Sequence, residues 1–435
     1  MADARVIRAD RAQLRWEMVD LEALLVPDHR ARIVWCFVET LDLTALYDAI
    51  GSREGEAGRP AADPAVLMAL WLYATVEGVG SARELARLVE RDVAYRWLAG
   101  GVPVNHHGLA DFRVDHGEVL DRLLSESVTA LIAERLVSLD EIVLDGTKVR
   151  ASAGRGSYAG RKRLARIEEA VRRRIAALKE EVESDPESST RRKRAARERA
   201  ARATQERAAK AHAALERLQA EKERRKKTHP KDEAEKKDEA EVSTTDPDAR
   251  RMRFADGAVR AAYNIQIGAH PASTIVVTVA TTDRRNDSAL AVPMVDDIAR
   301  RYGRTPGRLL IDTNYATRDD LVALAAHEKG PVEVYAPPPA ERDEAAIKPD
   351  SRASRARQRV QEPVVVKEWR ARMASAEGQA IFRRRKRIEL VNAQQKNRGL
   401  GFINVRGLIK AQAIALWHAL AHNLMAAHRL RTAVA

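Results

Sequence analysis

Three acidic residues stand where a chain could deliver catalytic carboxylates. Asp145 follows the apolar run Ile142, Val143 and Leu144 in EIVLDGTKVRA, and Asp312 closes the apolar run of RLLIDTNYAT. Each reads as an acid at the end of a buried strand, although Asp145 followed by Gly146 is equally a hairpin-turn signal. Glu389 lies inside IFRRRKRIELVNAQQKN, residues 381–397, a strongly basic helix. At 3.6 residues per turn, Arg385, Glu389 and Lys396 share one face of it. A carboxylate in that setting is either an Arg-paired decoration of a helix surface, the commoner case, or a metal ligand beside a phosphate track. Three carboxylates brought together are hard oxygen donors, which suit Mg2+ or Mn2+.

The elements that must position these acids follow in order. EIVL, VRAAYNIQIGA at 259–269 and STIVVTVATT at 273–282 read as three antiparallel strands, and DSALAVPMVDDIARRYG as a helix after them. The strand ending at Asp312 comes next, then the helix DDLVALAAHE capped by Thr317, then a fifth strand in PVEVYAP at 331–337. GLIKAQAIALWHALAHNLMAAHRL closes the chain as a long amphipathic helix, with Trp417, Leu420 and Leu424 packing and His418, His422 and His428 lining its sides. This is the element order of the RNase H fold, and it predicts that the three acids meet at one edge of the sheet.

Ahead of that domain, residues 1–140 read as a helical N-terminal domain for DNA-end recognition or oligomerisation, with apolar residues every three or four positions. The Gly turn at 78–80 and the capping pair Ser81 and Glu84 join two helices that are either a DNA-reading helix-turn-helix or an ordinary pair in a bundle. His106 and His107 fall in a loop before a helix, in no zinc-like spacing, and Phe112 packs inward. Between 160 and 251 the pattern is interrupted. Leu164, Ile167, Val171, Ile175, Leu178 and Val182 form a seam, SDPESS breaks it, and a second Ala/Arg/Glu-rich helix follows. Residues 161–250 thus read as a helical-hairpin insertion whose return, THPKDEAEKKDEAEVSTTDPDARR, has the composition of a disordered linker. Residues 338–380 read as an irregular basic insertion. The class is a mixed α+β and α/β chain: helical N-terminal domain, then an RNase H-like domain at 141–160 and 251–435 split by the hairpin.

Charge and composition bound the partners. The chain of 435 residues has a formal net charge of +13, which favours a polyanion. Residues 1–140 carry 15 basic and 23 acidic residues, whereas 351–400 carry 14 and 4, so the positive field gathers around Glu389. The single cysteine, Cys36, fits a reducing cytosol and is expected to be a buried helix residue. No apolar run is long enough for a membrane span, and no P-loop or GxGxxG motif calls for a nucleotide cofactor.

The run Phe382, Arg385, Glu389, Lys396 resembles the Tyr-x2-Arg-x3-Glu-x6-Lys signature of DDE transposases from bacterial insertion sequences, in the IS-four superfamily and most closely its IS-eleven-eighty-two group. The spacing is kept, with Phe382 replacing the Tyr. DPAVLMALWLYATVEGVGSARELARLVERDVAYRWLAGG resembles that group's N-terminal domain, and YNIQ and AHNL resemble its flanking motifs. The resemblance implies that Asp145, Asp312 and Glu389 are a metal-binding catalytic triad for two divalent cations, Mg2+ or Mn2+. It implies that Arg385 and Lys396 hold phosphates, joined on the DNA by Arg383, Arg384, Arg387 and Lys148. It further implies a cytoplasmic, nucleoid-associated homodimer acting on terminal inverted repeats and target DNA. Two rival readings are a non-catalytic DNA-binding descendant and a metal-dependent nuclease that cuts without joining.

Overall fold

The computed structural model of the chain describes residues 18, 20–52, 60–184, 191–228, 239–339 and 362–434. Its N-terminal region is built from the helices Arg30–Glu39, Thr44–Asp48, Pro64–Val76, Ala82–Arg91, Val93–Ala99, His106–Asp115 and Gly117–Ala133. Polar caps start several of them: Asp63 accepts from the Ala65 N–H ahead of Pro64, Ser81 from Glu84, and Asn105 from His107 and Gly108. His106 and His107 therefore open a helix rather than sit in a loop before it, and Phe112 is buried as expected. Pro64–Val76 is apolar on nearly every side and buried on nearly every side. It lies between Arg30–Glu39 and the closing helix Leu408–Val434, so the Gly-joined pair is part of a bundle. Cys36 is exposed, contrary to expectation, because Ala31, Val34 and Val38 form the inward stripe of its helix.

The closing helix belongs to both halves. Trp417 donates from Nε1 to the Arg113 carbonyl at 2.9 Å and stacks obliquely near Phe112. One hydrophobic core runs from Val34 through Trp71 and Trp417 to Ile267 and Leu309. The expected boundary at residue 140 is thus a change from helix to strand within a shared core. His418 and His422 do not line the helix sides; both are buried, His422 donating or accepting at Nε2 with the Thr274 carbonyl at 2.8 Å. The helix is buried on nearly every side over this stretch, with Ala421 and Leu424 also buried.

The strands are β1 Glu141–Arg150, β2 Tyr158–Ala159, β3 Val242–Ser243, β4 Arg250–Arg253, β5 Val259–Ala269, β6 Val276–Thr282, β7 Arg308–Leu310 and β8 Glu333–Tyr335. In the main sheet β6 and β4 pair with β5, β5 pairs antiparallel with β1, and β7 and β8 follow in parallel. The five expected strands thus lie in the order third, second, first, fourth, fifth, consistent with an RNase H-like fold. Edge strand β6 would expose unpaired backbone groups, a template for unwanted pairing. The closing helix covers it: the Asn423 amide bonds both N–H and C=O of Val276, and Gln412 bonds Val279 and Thr281.

The insertion is two packed helices, Arg161–Ser184 and Arg191–Thr228, whose seam buries Leu164 against Ala211 and Leu215. The break expected at SDPESS lies mostly outside the described residues. Of the return linker, residues 239–251 are ordered, which corrects the disordered reading. Ala240 and Val242 join the hairpin seam, and Asp246 is fully buried, accepting from the Tyr263 hydroxyl at 2.6 Å. Charge-rich composition hid a segment whose few small apolar residues all face inward. The irregular reading of 338–380 is corrected likewise for its described part. Val364–Ala374 and Ala376–Arg383 are helices, anchored by buried Trp369 donating to the Ala336 carbonyl at 3.1 Å.

Candidate active site

Asp145 sits in the middle of β1, not at a turn. The strand continues through Gly146, opposite Gln266, and Thr147, opposite Ile265, so the hairpin-turn alternative is excluded. The glycine is required by packing. A Cβ at Gly146 would come within 2.3 Å of Asp287 Oδ1 and 2.5 Å of Gln266 Nε2. Asp287 is held there by amide donors at 2.8 Å from Asn264 and 2.8 Å from Gln266, and the Tyr315 hydroxyl closes the chain on Gln266. The alternation of YNIQ, with Asn264 and Gln266 two apart on one face of β5, is the sequence signal for this seat.

Asp312 reaches Asp145 through register. Val143 pairs with Leu310 in the parallel β1–β7 ladder, and each acid lies two residues beyond its member of that pair. The two carboxylates therefore stand at one level at the carboxyl ends of the paired segments. They share one cation: Arg385 Nη2 lies 3.3 Å from Asp145 Oδ1 and 3.8 Å from Asp312 Oδ2. Asn392, which the sequence reading passed over, donates from Nδ2 to Asp145 Oδ2 at 2.8 Å. Asp312 also accepts from the Thr313 N–H at 2.8 Å. Burial is the main cause that pushes the Asp145 carboxyl up to about 6; Arg385 opposes it, and the neighbouring Asp287 and Asp312 add to it.

The basic segment is not one helix. Ala376–Arg383 gives way to a 3-10 turn, Arg384–Lys386, before the helix Arg387–Asn397. Glu389 lies four residues after Arg385 and three before Asn392, both of which bond Asp145, so it shares their stripe. It is exposed, and among the described residues it makes no ion pair; the decorative Arg385–Glu389 bridge does not form. Asp145 and Asp312 meet at Arg385, whereas Glu389 is exposed and among the described residues no contact joins it to them. Among the described residues no three Asp, Glu, His or Cys side chains converge as they stand into a metal-holding group.

The other expected DNA-binding residues separate. Arg383, Arg384 and Arg387 line a cleft of about 1110 Å³ with Glu141, Arg308 and Glu333, at the amino ends of β1, β7 and β8. That is roughly 13 Å along β1 from Asp145. Arg384 is ion-paired there to Glu141 at 2.9 Å. Lys396 is exposed one turn beyond Asn392. Lys148, three positions from Asp145, lies on the opposite face of the strand, its Nζ donating to the Arg253 carbonyl at 2.9 Å. Phe382 is half-buried in the core, with no hydroxyl to offer.

The site's donors fit a divalent cation. They are hard oxygens, two aspartates already share one positive charge, and the Asn392 and Asn264 Oδ1 atoms are buried without a donor. A sheet in this order, carrying aspartates on its first strand and after its fourth, is consistent with the RNase H-like phosphoryl-transfer enzymes. The family comparisons agree. Residues 19–115 match the model of a transposase domain (DUF772), and residues 238–424 that of the transposase DDE domain. The chain belongs to the DDE transposases of insertion sequences, metal-dependent enzymes that cleave DNA. Asp312 and Glu389 fall inside the DDE match and Asp145 between the two. No curated protein and no solved structure matches the chain. Among the described residues no helix is long and apolar enough to cross a membrane.

Proposed function

We propose that this DNA transposase cuts the ends of an insertion sequence and joins the freed 3′-OH ends to target DNA, with Asp145, Asp312 and Glu389 as its catalytic triad. The observation that carries the assignment is the convergence of Asp145 and Asp312, matched in register, on the Arg385 guanidinium. Asp145, Asp312 and Glu389 would hold two divalent cations, Mg2+ or Mn2+, which supply activation of the attacking oxygen and neutralisation of the leaving one. The protein's own groups do the rest. Asn392 fixes the rotamer of Asp145 through its amide N–H. Arg385 balances the aspartates before DNA arrives and can then turn to a non-bridging phosphate oxygen, to which its fork of donors is matched. Lys396, one turn beyond Asn392 on the same stripe, extends that phosphate contact.

In the first reaction water attacks phosphorus at the element end. The P–O3′ bond breaks, and the 3′-oxygen leaves as a hydroxyl. In the second, that 3′-OH attacks a target phosphorus, whose own 3′-oxygen leaves in turn, so each bond formed replaces one broken. The spacing of Phe382, Arg385, Glu389 and Lys396 supports placement in the IS-eleven-eighty-two group. Action as a homodimer on paired terminal repeats in the nucleoid accords with that placement.

The test is a gel of labelled terminal DNA incubated with the full chain and Mg2+ or Mn2+. Nicked and joined products are expected from the wild type. Asp145→Asn and Asp312→Asn should each lower both by roughly 10³-fold or more while end binding persists. Nicking without joining would favour a nuclease, and binding without either would favour a non-catalytic descendant.

A further inference from the structure

The helices Arg161–Ser184 and Arg191–Thr228 carry 23 Lys and Arg against 10 Asp and Glu, a net charge of +13. The remaining chain carries 53 of each. The hairpin's net charge therefore equals that of the whole protein, while the basic 351–400 segment is offset by acids elsewhere in the chain. A structural arm needs its apolar seam, which is Leu164, Ala211, Ala214 and Leu215, and needs no such excess. Internal pairing does not remove it. Arg172, Arg173 and Arg202 face Glu168, Glu169 and Glu198 one turn away, which uses up acids at exposed positions worth little to stability. Ten acids cannot neutralise 23 bases, so the like charges repel one another until a polyanion screens them.

The charge is also directed. Arg199, Lys210 and Arg217 are eleven and seven residues apart, which places them on one face of the second helix, away from the Ala211 and Leu215 seam. At the root of the arm Arg217 on that face is ion-paired to Asp283 at 2.9 Å. Asp283 opens the loop after β6 that carries Asp287, whose carboxylate lies against Gly146 beside Asp145. The basic face thus begins next to the carboxylate site and leads away from it. From Arg217 back to Arg191 this helix extends about 39 Å, the length of about 11 base pairs of duplex.

We propose that the hairpin is a clamp on double-stranded DNA, gripping the phosphate backbone of the duplex on one side of the cut through the face that carries Arg199 and Lys210. The proposal rests on the cut being made at Asp145 and Asp312. DNA held there continues along the arm, and the contact is independent of base sequence because it is made to phosphate.

The test uses the full chain and labelled duplexes that extend beyond the element end by about 5 or about 25 base pairs, chosen to fall short of and exceed the arm's reach. Wild type should bind the longer duplex more tightly. In the variant Arg199→Gln, Lys210→Gln, which also carries Arg166→Gln and Arg174→Gln at exposed positions of the arm's first helix, that preference should vanish. The slope of log K against log salt should flatten by roughly 0.9 per lost contact, up to about 3.6. Arg217 is left in place because it anchors the root. A cooperatively melting variant with unchanged slope and length preference overturns the proposal and leaves an acidic protein partner as the arm's counterpart. Hydroxyl-radical footprinting of the unmodified chain gives a second reading. Protection reaching about 11 base pairs past the cut supports the clamp, and protection that stops at the cut overturns it. Asp312→Asn separates the two claims: cleavage by that variant would refute the active site, while slope and footprint would still judge the clamp.

Discussion

Two buried polar regions of this protein are built to opposite ends. On the closing helix Leu408–Val434, Gln412 and Asn423 use both ends of their amides on the backbone of β6, and His422 bonds the Thr274 carbonyl. The two histidines there carry no charge: burial, with Arg398 adding to it, drives His418 down to about 3 and His422 to about 4. At the sheet's other functional region Asp145 is held up at about 6, shares a single guanidinium with Asp312, and has beside it amide oxygens without donors. Amides paired at both ends with the edge strand fix the fold, whereas crowded carboxylates left short of partners await a ligand.

The larger stability effect should come from the histidines. Their folded pKa values lie below the ordinary 6.5, so the unfolded chain binds the extra protons. The stability they contribute is complete above pH 6.5 and is lost as pH falls towards 4. At pH 5 the loss should be about 2 kcal/mol per histidine. Urea melts of the wild type and of His422→Gln across pH 5 to 7.5 would check this; an equally steep acid loss in the variant would break the contrast.

Asp145 should behave with the opposite sign. Its folded pKa lies above the ordinary 3.8 of an aspartate, so the folded chain holds the extra proton, and stability falls as pH rises from 3.8 through 6. Asp145→Asn, lethal to cleavage, should therefore stabilise the metal-free protein at pH 8 by about 2 kcal/mol and give no gain at pH 4. A loss of stability at pH 8 would mean that Asp145 serves the fold in the manner of Asn423.

The difference between these regions also explains what could be read from the chain. Asp145 and Asp312 were legible because short apolar runs announce buried strands, and the order of runs announced the sheet. Arg385 was legible by its spacing from Glu389. Asn392 and the Asp287 seat were not, since their meaning arises from contacts between positions far apart, such as 145 with 392 and 146 with 287. The same applies to Gly146, which local turn statistics read as a hairpin and which is dictated by a carboxylate on a distant loop. Asp246 was hidden by a charged linker composition, and its burial depends on donors far along the chain, the Tyr263 hydroxyl and the Gly407 N–H.

Glu389 is where the account is most exposed, since it shares the stripe of Arg385 and Asn392 but, among the described residues, makes no contact with either aspartate. Glu389→Gln keeps the shape and the helix and removes only the charge. In the labelled-end assay with Mg2+ or Mn2+, the account predicts that the variant binds ends normally while nicking and joining fall by roughly 10³-fold, as for Asp312→Asn. Near-normal product from the Gln variant would contradict it, and would reduce Glu389 to a solvated surface acid.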